Sequence, residues 1–278
     1  MKTLNALSLL LTAAFIVFIS CSKNDKSNGP GATTELSTTV QLSATDELLN
    51  EGLAAAMDGA DGTVDGNADL RPLSCATVTA NTDLKTITID FGTGCLNPVT
   101  GKTRKGKIIV SYTGDSYLLS PVRAILFDAF QADDSVTMNG LLTQSNIVRA
   151  NNKVNFTLTG SDFTFGFPAG KIHTLVSYNH NFTVDLGTNI RDIADNSVTV
   201  SGRTTGINEE GEPYSVTSSL PLVFNGECSA SDIFYPVSGA YDIKIGNKPG
   251  FNVSWGTGAC DKIVTIKFLG ITLDVALK

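Results

Sequence analysis

Residues 75–95 read CATVTANTDLKTITIDFGTGC, and the period of this stretch decides the fold. Ile87, Ile89 and Phe91 alternate with Thr88 and Asp90, a spacing of two that sends successive side chains to opposite faces of a strand and leaves one face apolar. Asn81-Thr82-Asp83-Leu84-Lys85 reads as a turn between this run and Ala76 to Ala80, so the two segments form a hairpin. The same period returns in Ile108/Val110/Tyr112 and in Phe163/Phe165/Phe167. Turn signals at Asn151-Asn152, Pro168-Ala169-Gly170, Glu209-Glu210-Gly211 and Leu269-Gly270 separate β-branched and aromatic runs. No helix-sized amphipathic segment recurs to supply crossovers between parallel strands.

One helix stands apart. Ser43-Ala44-Thr45-Asp46 offers an N-cap with an acid three residues on, and Leu49, Leu53, Ala56 and Met57 then recur on one face before a glycine cluster. The sequence therefore predicts an all-β protein, an antiparallel meandering sheet curled or folded on itself, with one short N-terminal helix. Residues 43–278 form a single β-rich domain in this reading. The motif Gly-Thr-Gly precedes a cysteine at both 92–95 and 256–260, which we read as two turns solving one geometry.

The composition fits a packed core. Of 278 residues, 42% are hydrophobic and 17% charged, so there is enough apolar side chain to offset the entropy of ordering the chain. Twenty Lys and Arg stand against 27 Asp and Glu, a net charge of −7, which lacks the cationic footprint that phosphate backbones require. Nucleic acid is not an expected partner.

The first twenty residues read as an address. Lys2 supplies a positive start, and Leu4 to Ile19 is an apolar run interrupted by Asn5, Ser8 and Thr12, the pattern of a signal peptide. Phe18-Ile19-Ser20-Cys21 resembles a bacterial lipobox, with Phe18 where Leu is usual. That resemblance implies cleavage before Cys21 and acylation of the cysteine by palmitate-like chains. Each buried methylene of such a chain is worth about 0.8 kcal/mol, so two or three chains would anchor the protein stably. Residues 21–42, rich in Ser, Thr, Asn, Gly and Lys, then form a flexible tether. The expected location is the outer membrane, on either its periplasmic or its cell-surface side.

With Cys21 assigned to lipid, Cys75, Cys95, Cys228 and Cys260 remain, an even set in an exported chain. Four cysteines allow three pairings. Hairpin bracketing favours Cys75 with Cys95 across the first hairpin, and Cys228 with Cys260 across Tyr241 to Ile245 and Phe251 to Trp255.

On these residues the chain resembles exported Bacteroidota lipoproteins of uncharacterised function. The shared features are the Cys75 to Cys95 opening, Gly101-Lys102-Thr103-Arg104-Lys105-Gly106-Lys107-Ile108, Tyr235-Pro236-Val237-Ser238-Gly239 and Gly256-Thr257-Gly258-Ala259-Cys260-Asp261. The resemblance spans about residues 75–278. It implies an all-β lipoprotein and carries over no catalytic residue.

Chemistry-bearing motifs are sparse. His173 and His180 are seven apart, which in a regular strand puts them on opposite faces and makes a shared metal unexpected. We read them as surface or partly buried structural residues. The acidic loop Asp58 to Asp69 invites calcium, but counting from Asp61 an EF-hand would need Glu where Pro72 stands, and a solvated loop is the better reading. Asp133/Asp134 and Glu209/Glu210 fall at turns, unlike a glycosidase pair flanking a bond. Tyr112, Tyr117, Tyr178, Tyr214, Tyr235 and Trp255 read mainly as core and edge packing rather than as a sugar platform. No cofactor is expected.

These readings converge on a membrane-anchored envelope lipoprotein acting as a non-enzymatic binding or interaction module, whose partner is a glycan or an envelope protein. The alternatives are a carrier of lipid or another apolar ligand, and a carbohydrate-active enzyme.

Overall fold

The computed structural model describes residues 45, 48, 49, 51–57, 59 and 60, and then 75–97, 101–117, 119–133, 136–188, 193–230, 235–261 and 263–276. The signal segment, Cys21 and the tether 21–42 lie outside the described residues, as does most of the acidic loop after the helix.

The strands, in chain order, are β1 (Thr77–Asn81), β2 (Thr86–Asp90), β3 (Cys95–Leu96), β4 (Thr103–Tyr112), β5 (Arg123–Ala132), β6 (Thr137–Ala150) and β7 (Lys153–Gly166). They continue as β8 (Ile172–Asp185), β9 (Ser197–Ile207), β10 (Pro213–Asn225), β11 (Ser238–Ile245), β12 (Phe251–Thr257), β13 (Ile263–Phe268) and β14 (Ile271–Ala276). All fourteen belong to one sheet, ordered β1-β2-β4 and then consecutively to β14, with β3 paired to β4. Neighbours are antiparallel throughout, and the sheet is open, with β1 and β14 as its ends. The expected all-β meander is the observed fold. Short connections make this topology natural, because each strand except β3 pairs with the one just before it.

One face of the sheet is apolar and buried. Ile87 and Ile89 lead into Ile108 and Val110, then Ile125 and Phe127, Met138 and Leu142, Phe156 and Leu158, and Val198 and Val200. Burial alternates along each of these strands, as a period of two requires. Helix α1, described over 51–57, lies on this inner face, and every residue from 51 to 57 is buried. Leu53, Ala56 and Met57 face Val110, Ile125, Phe156 and Leu158 across a gap of about 10 Å³. That is the room of about one water molecule.

Curling needs local breaks in the ladder. Register shifts occur between Lys105 and Lys107, between Phe127 and Phe130, and between Leu175 and Ser177. Each bulge adds a residue, bends its strand and raises the local twist. At the first, Gly106 takes φ +80°, and a Cβ there would sit 2.2 Å from the carbonyl oxygen of Ala129. Only glycine allows the two backbones this close.

A second helix, α2 (Gly226–Ala230), absent from the sequence reading, joins β10 to β11 and carries Cys228. Disulfides link Cys75 to Cys95 and Cys228 to Cys260, the pairing that hairpin bracketing favours.

Candidate functional site

The sequence directs attention first to the histidines, and the structure corrects that reading. His173 and His180 are both fully buried on the inner face, neither at the surface nor on opposite faces. The bulge between Leu175 and Ser177 inserts one residue, so a separation of seven returns to the same side. His173 Nε2 lies 2.7 Å from the Tyr214 hydroxyl, and His180 Nε2 lies 2.9 Å from Thr204 Oγ1. The Tyr214 ring crosses to His173 over Gly206, where a Cβ would meet the ring at 2.5 Å. Burial pushes His173 down to about 4 and His180 down to about 3, so both rings are neutral at physiological pH.

The acid pairs are occupied at turns. Asp133 accepts a hydrogen bond from the Thr103 amide at 3.0 Å, and Asp134 lies outside the described residues. Glu209 and Glu210 flank Lys171 Nζ at 3.0 and 3.9 Å, and the bond to Glu209 raises the lysine above its ordinary range. Among the described residues no group of three or more His, Cys, Asp and Glu side chains is gathered where a metal ion could sit. Of the aromatic residues, Tyr117, Tyr178, Tyr214 and Trp255 are buried, and Tyr112 and Tyr235 pack half-buried against the core. They form no outward platform.

Two buried cations escaped the sequence reading. Arg104 on β4 donates from Nε to Glu51 of α1 at 2.8 Å, and Asn97 donates to the same carboxylate oxygen at 3.0 Å. Arg123 on β5, 4% exposed, stacks 4.0 Å over the Tyr117 ring. It donates to the Tyr117 carbonyl at 3.0 Å and to Gln144 Oε1 at 3.4 Å. No carboxylate is hydrogen-bonded to it among the described residues, and its Nε has no hydrogen-bond partner.

The outer face carries a broad depression, about 380 Å³, lined by Val176, Ile207, Pro213, Ser215, Arg203 and Lys244. A different kind of surface lies at the end of the sheet. On the inner face the row Val253, Ile266, Leu273 passes from buried to half-buried to 59% exposed. Ile271 is 67% exposed and Leu269, in the turn, 70%. The apolar stripe thus continues across β13, where Val264 is buried and Ile266 half-buried, and is bare at Ile271 and Leu273 of β14, while Val275 packs half-buried against the core. The edge of β14 is also unpaired among the described residues.

The fold and this surface define an all-β, disulfide-bonded protein built as one open sheet over a buried helix, with its apolar face bared at one edge. Comparison with protein-family models, with curated proteins and with solved structures gives no match to this chain.

Proposed function

We propose that the protein is an envelope lipoprotein, anchored to the outer membrane through acylated Cys21, whose sheet serves as a non-enzymatic interaction module. The observation that carries the second half is the exposure of Leu269, Ile271 and Leu273 on a hairpin continuous with the core. Uncovered apolar area of this kind marks contact with a partner. A carrier would need unfilled space on the inner face, and the gap between Leu53, Ala56 and Met57 of α1 and Val110, Ile125, Phe156 and Leu158 of the sheet holds only about one water molecule. The signal-like segment, the lipobox resemblance and two disulfides support export. The likeness to Bacteroidota lipoproteins enters this reading as support of the same kind.

Two measurements test it. Membrane fractionation should place the wild-type chain in the outer membrane and release Cys21→Ala, and unchanged acylation and retention of that variant would refute the anchor. Hydrogen exchange of the full chain should be slower over 263–276 in native membranes than in dilute detergent. Equal exchange in both would remove the interaction surface.

A further inference from the structure

The bared hairpin has a geometry that selects its occupant. Leu269 and Gly270 both take positive φ, +49° and +81°, the signature of a two-residue turn whose twist matches the flanking strands. Phe268 and Ile271, which flank this turn, face each other in the register. In such a hairpin the flanking pair is hydrogen-bonded, so the backbone groups of Thr272, Asp274 and Ala276 point away from β13 to the open edge.

Natural edges are blunted by proline, lysine, a bulge or a covering element. The β14 sequence, Ile271-Thr272-Leu273-Asp274-Val275-Ala276, has no proline, lysine or glycine, and its pairing with β13 has no register shift. Its one charge, Asp274, accepts a hydrogen bond from Thr265 and lies on the outer face. The opposite edge, β1, is Thr77-Val78-Thr79-Ala80-Asn81 and presents mostly polar side chains.

We propose that β14 pairs with β14 of a second copy of this chain, antiparallel about a two-fold axis at Leu273. This rests on reading the hairpin as the interaction surface. A two-fold axis normal to the sheet keeps both inner faces on one side and opposes residues of the same parity. Centred on Leu273, it sets Leu273 against its own copy, Ile271 against Val275, and Thr272 against Asp274. Apolar side chains then meet on the inner face and polar ones on the outer face. An axis at Asp274 would oppose two carboxylates, and one at Thr272 would shorten the overlap toward the turn. The chosen register also places Asp274 on a row with Lys267 of the other copy, because Lys267 is the partner of Thr272 in β13. The strand is self-complementary in this register, whereas pairing with β1 would offer its apolar residues only the smaller Val78 and Ala80 on the inner face and would leave an open end for further copies.

The Leu273 pair is non-hydrogen-bonded, with a Cα separation of about 4.5 Å, within disulfide range. The test uses the full-length protein in its native membrane, carrying Leu273→Cys. Oxidation should give a disulfide-linked dimer, and Leu84→Cys, exposed in the β1–β2 turn, should give none. A second variant, Thr272→Pro, removes an amide that points to the edge and leaves the β13–β14 ladder intact. It should convert a dimer to a monomer in sedimentation velocity while its melting temperature holds. No dimer from Leu273→Cys, or equal cross-linking at Leu84→Cys, overturns the proposal. Cross-linking of Leu273→Cys to a different envelope protein also overturns the second copy and leaves the surface itself standing.

Discussion

Glu51 of α1 and Arg104 of β4 form a buried ion pair, Oε1 to Nε 2.8 Å, with side chains 8% and 2% exposed. The pair ties the helix to the sheet at a point where Asn97 adds a third hydrogen-bonding group. Removing one partner takes an opposite charge at 2.8 Å from the other in a medium that solvates it poorly. Glu51→Ala is expected to lose about 3–5 kcal/mol, because taking the carboxylate from a buried guanidinium costs more than the pair contributed. Denaturant unfolding of the purified protein measures this, and a loss below about 1 kcal/mol would show that Arg104 finds other compensation.

The buried histidines set a pH dependence whose sign is fixed. Both rings fold neutral, with His173 held at about 4 and His180 at about 3 against an ordinary value of 6.5. Below 6.5 the unfolded chain takes up protons that the folded chain refuses, so stability falls as pH drops from 6.5 toward 4. The slope is about 1.4 kcal/mol per pH unit for each histidine. Asp90 and Asp185 are held low, the first chiefly by the Gly92 amide and the second chiefly by Lys153, and their stabilising effect is lost only at lower pH, as they protonate. His180→Gln should roughly halve the slope between pH 6.5 and 4.5 in urea titrations at fixed temperature. A slope unchanged by that substitution would place the titration elsewhere.

The bridges Cys75–Cys95 and Cys228–Cys260 close loops of 20 and 32 residues. Each is expected to contribute about 3 kcal/mol by restricting the unfolded chain. Reductant should therefore lower the unfolding midpoint, and Cys75→Ser with Cys95→Ser should produce about half of the effect. A midpoint indifferent to reductant would mean that neither bridge stabilises the fold.

What could be read from the sequence was local. The hairpin in residues 75–95, its cysteine closure and the helical face of Leu49, Leu53, Ala56 and Met57 each rest on neighbours within a few positions, where period and turn chemistry act. The shared face of His173 and His180 was hidden because it depends on a bulge. Ala129, Asn146 and Asp162 also take left-handed backbone angles without a glycine to mark them. The Glu51–Arg104 tie spans 53 residues and has no local signature. The uncovered hairpin was hidden for another reason. Ile271, Leu273 and Val275 alternate as buried strands do, and only the end of the sheet leaves Ile271 and Leu273 bare.

Arg123 supplies the sharpest contrast with Arg104. Both are buried, but Arg123 is held by the Tyr117 carbonyl and ring, the Tyr117 hydroxyl at 3.3 Å and Gln144, with no carboxylate among these partners. Neutral acceptors and the π-face offset only part of the desolvation of a guanidinium, and arginine cannot shed its proton to escape it. Substitution by methionine keeps most of the apolar stem and deletes the charge without stranding an opposite one. Arg123→Met is expected to change stability by no more than about 1 kcal/mol, or to raise it, while Arg104→Met loses about 3–5 kcal/mol by taking the guanidinium from the buried Glu51 carboxylate. Paired denaturation curves of the two variants measure the difference. Equal losses would mean that the Tyr117 and Gln144 acceptors compensate Arg123 as fully as a carboxylate does.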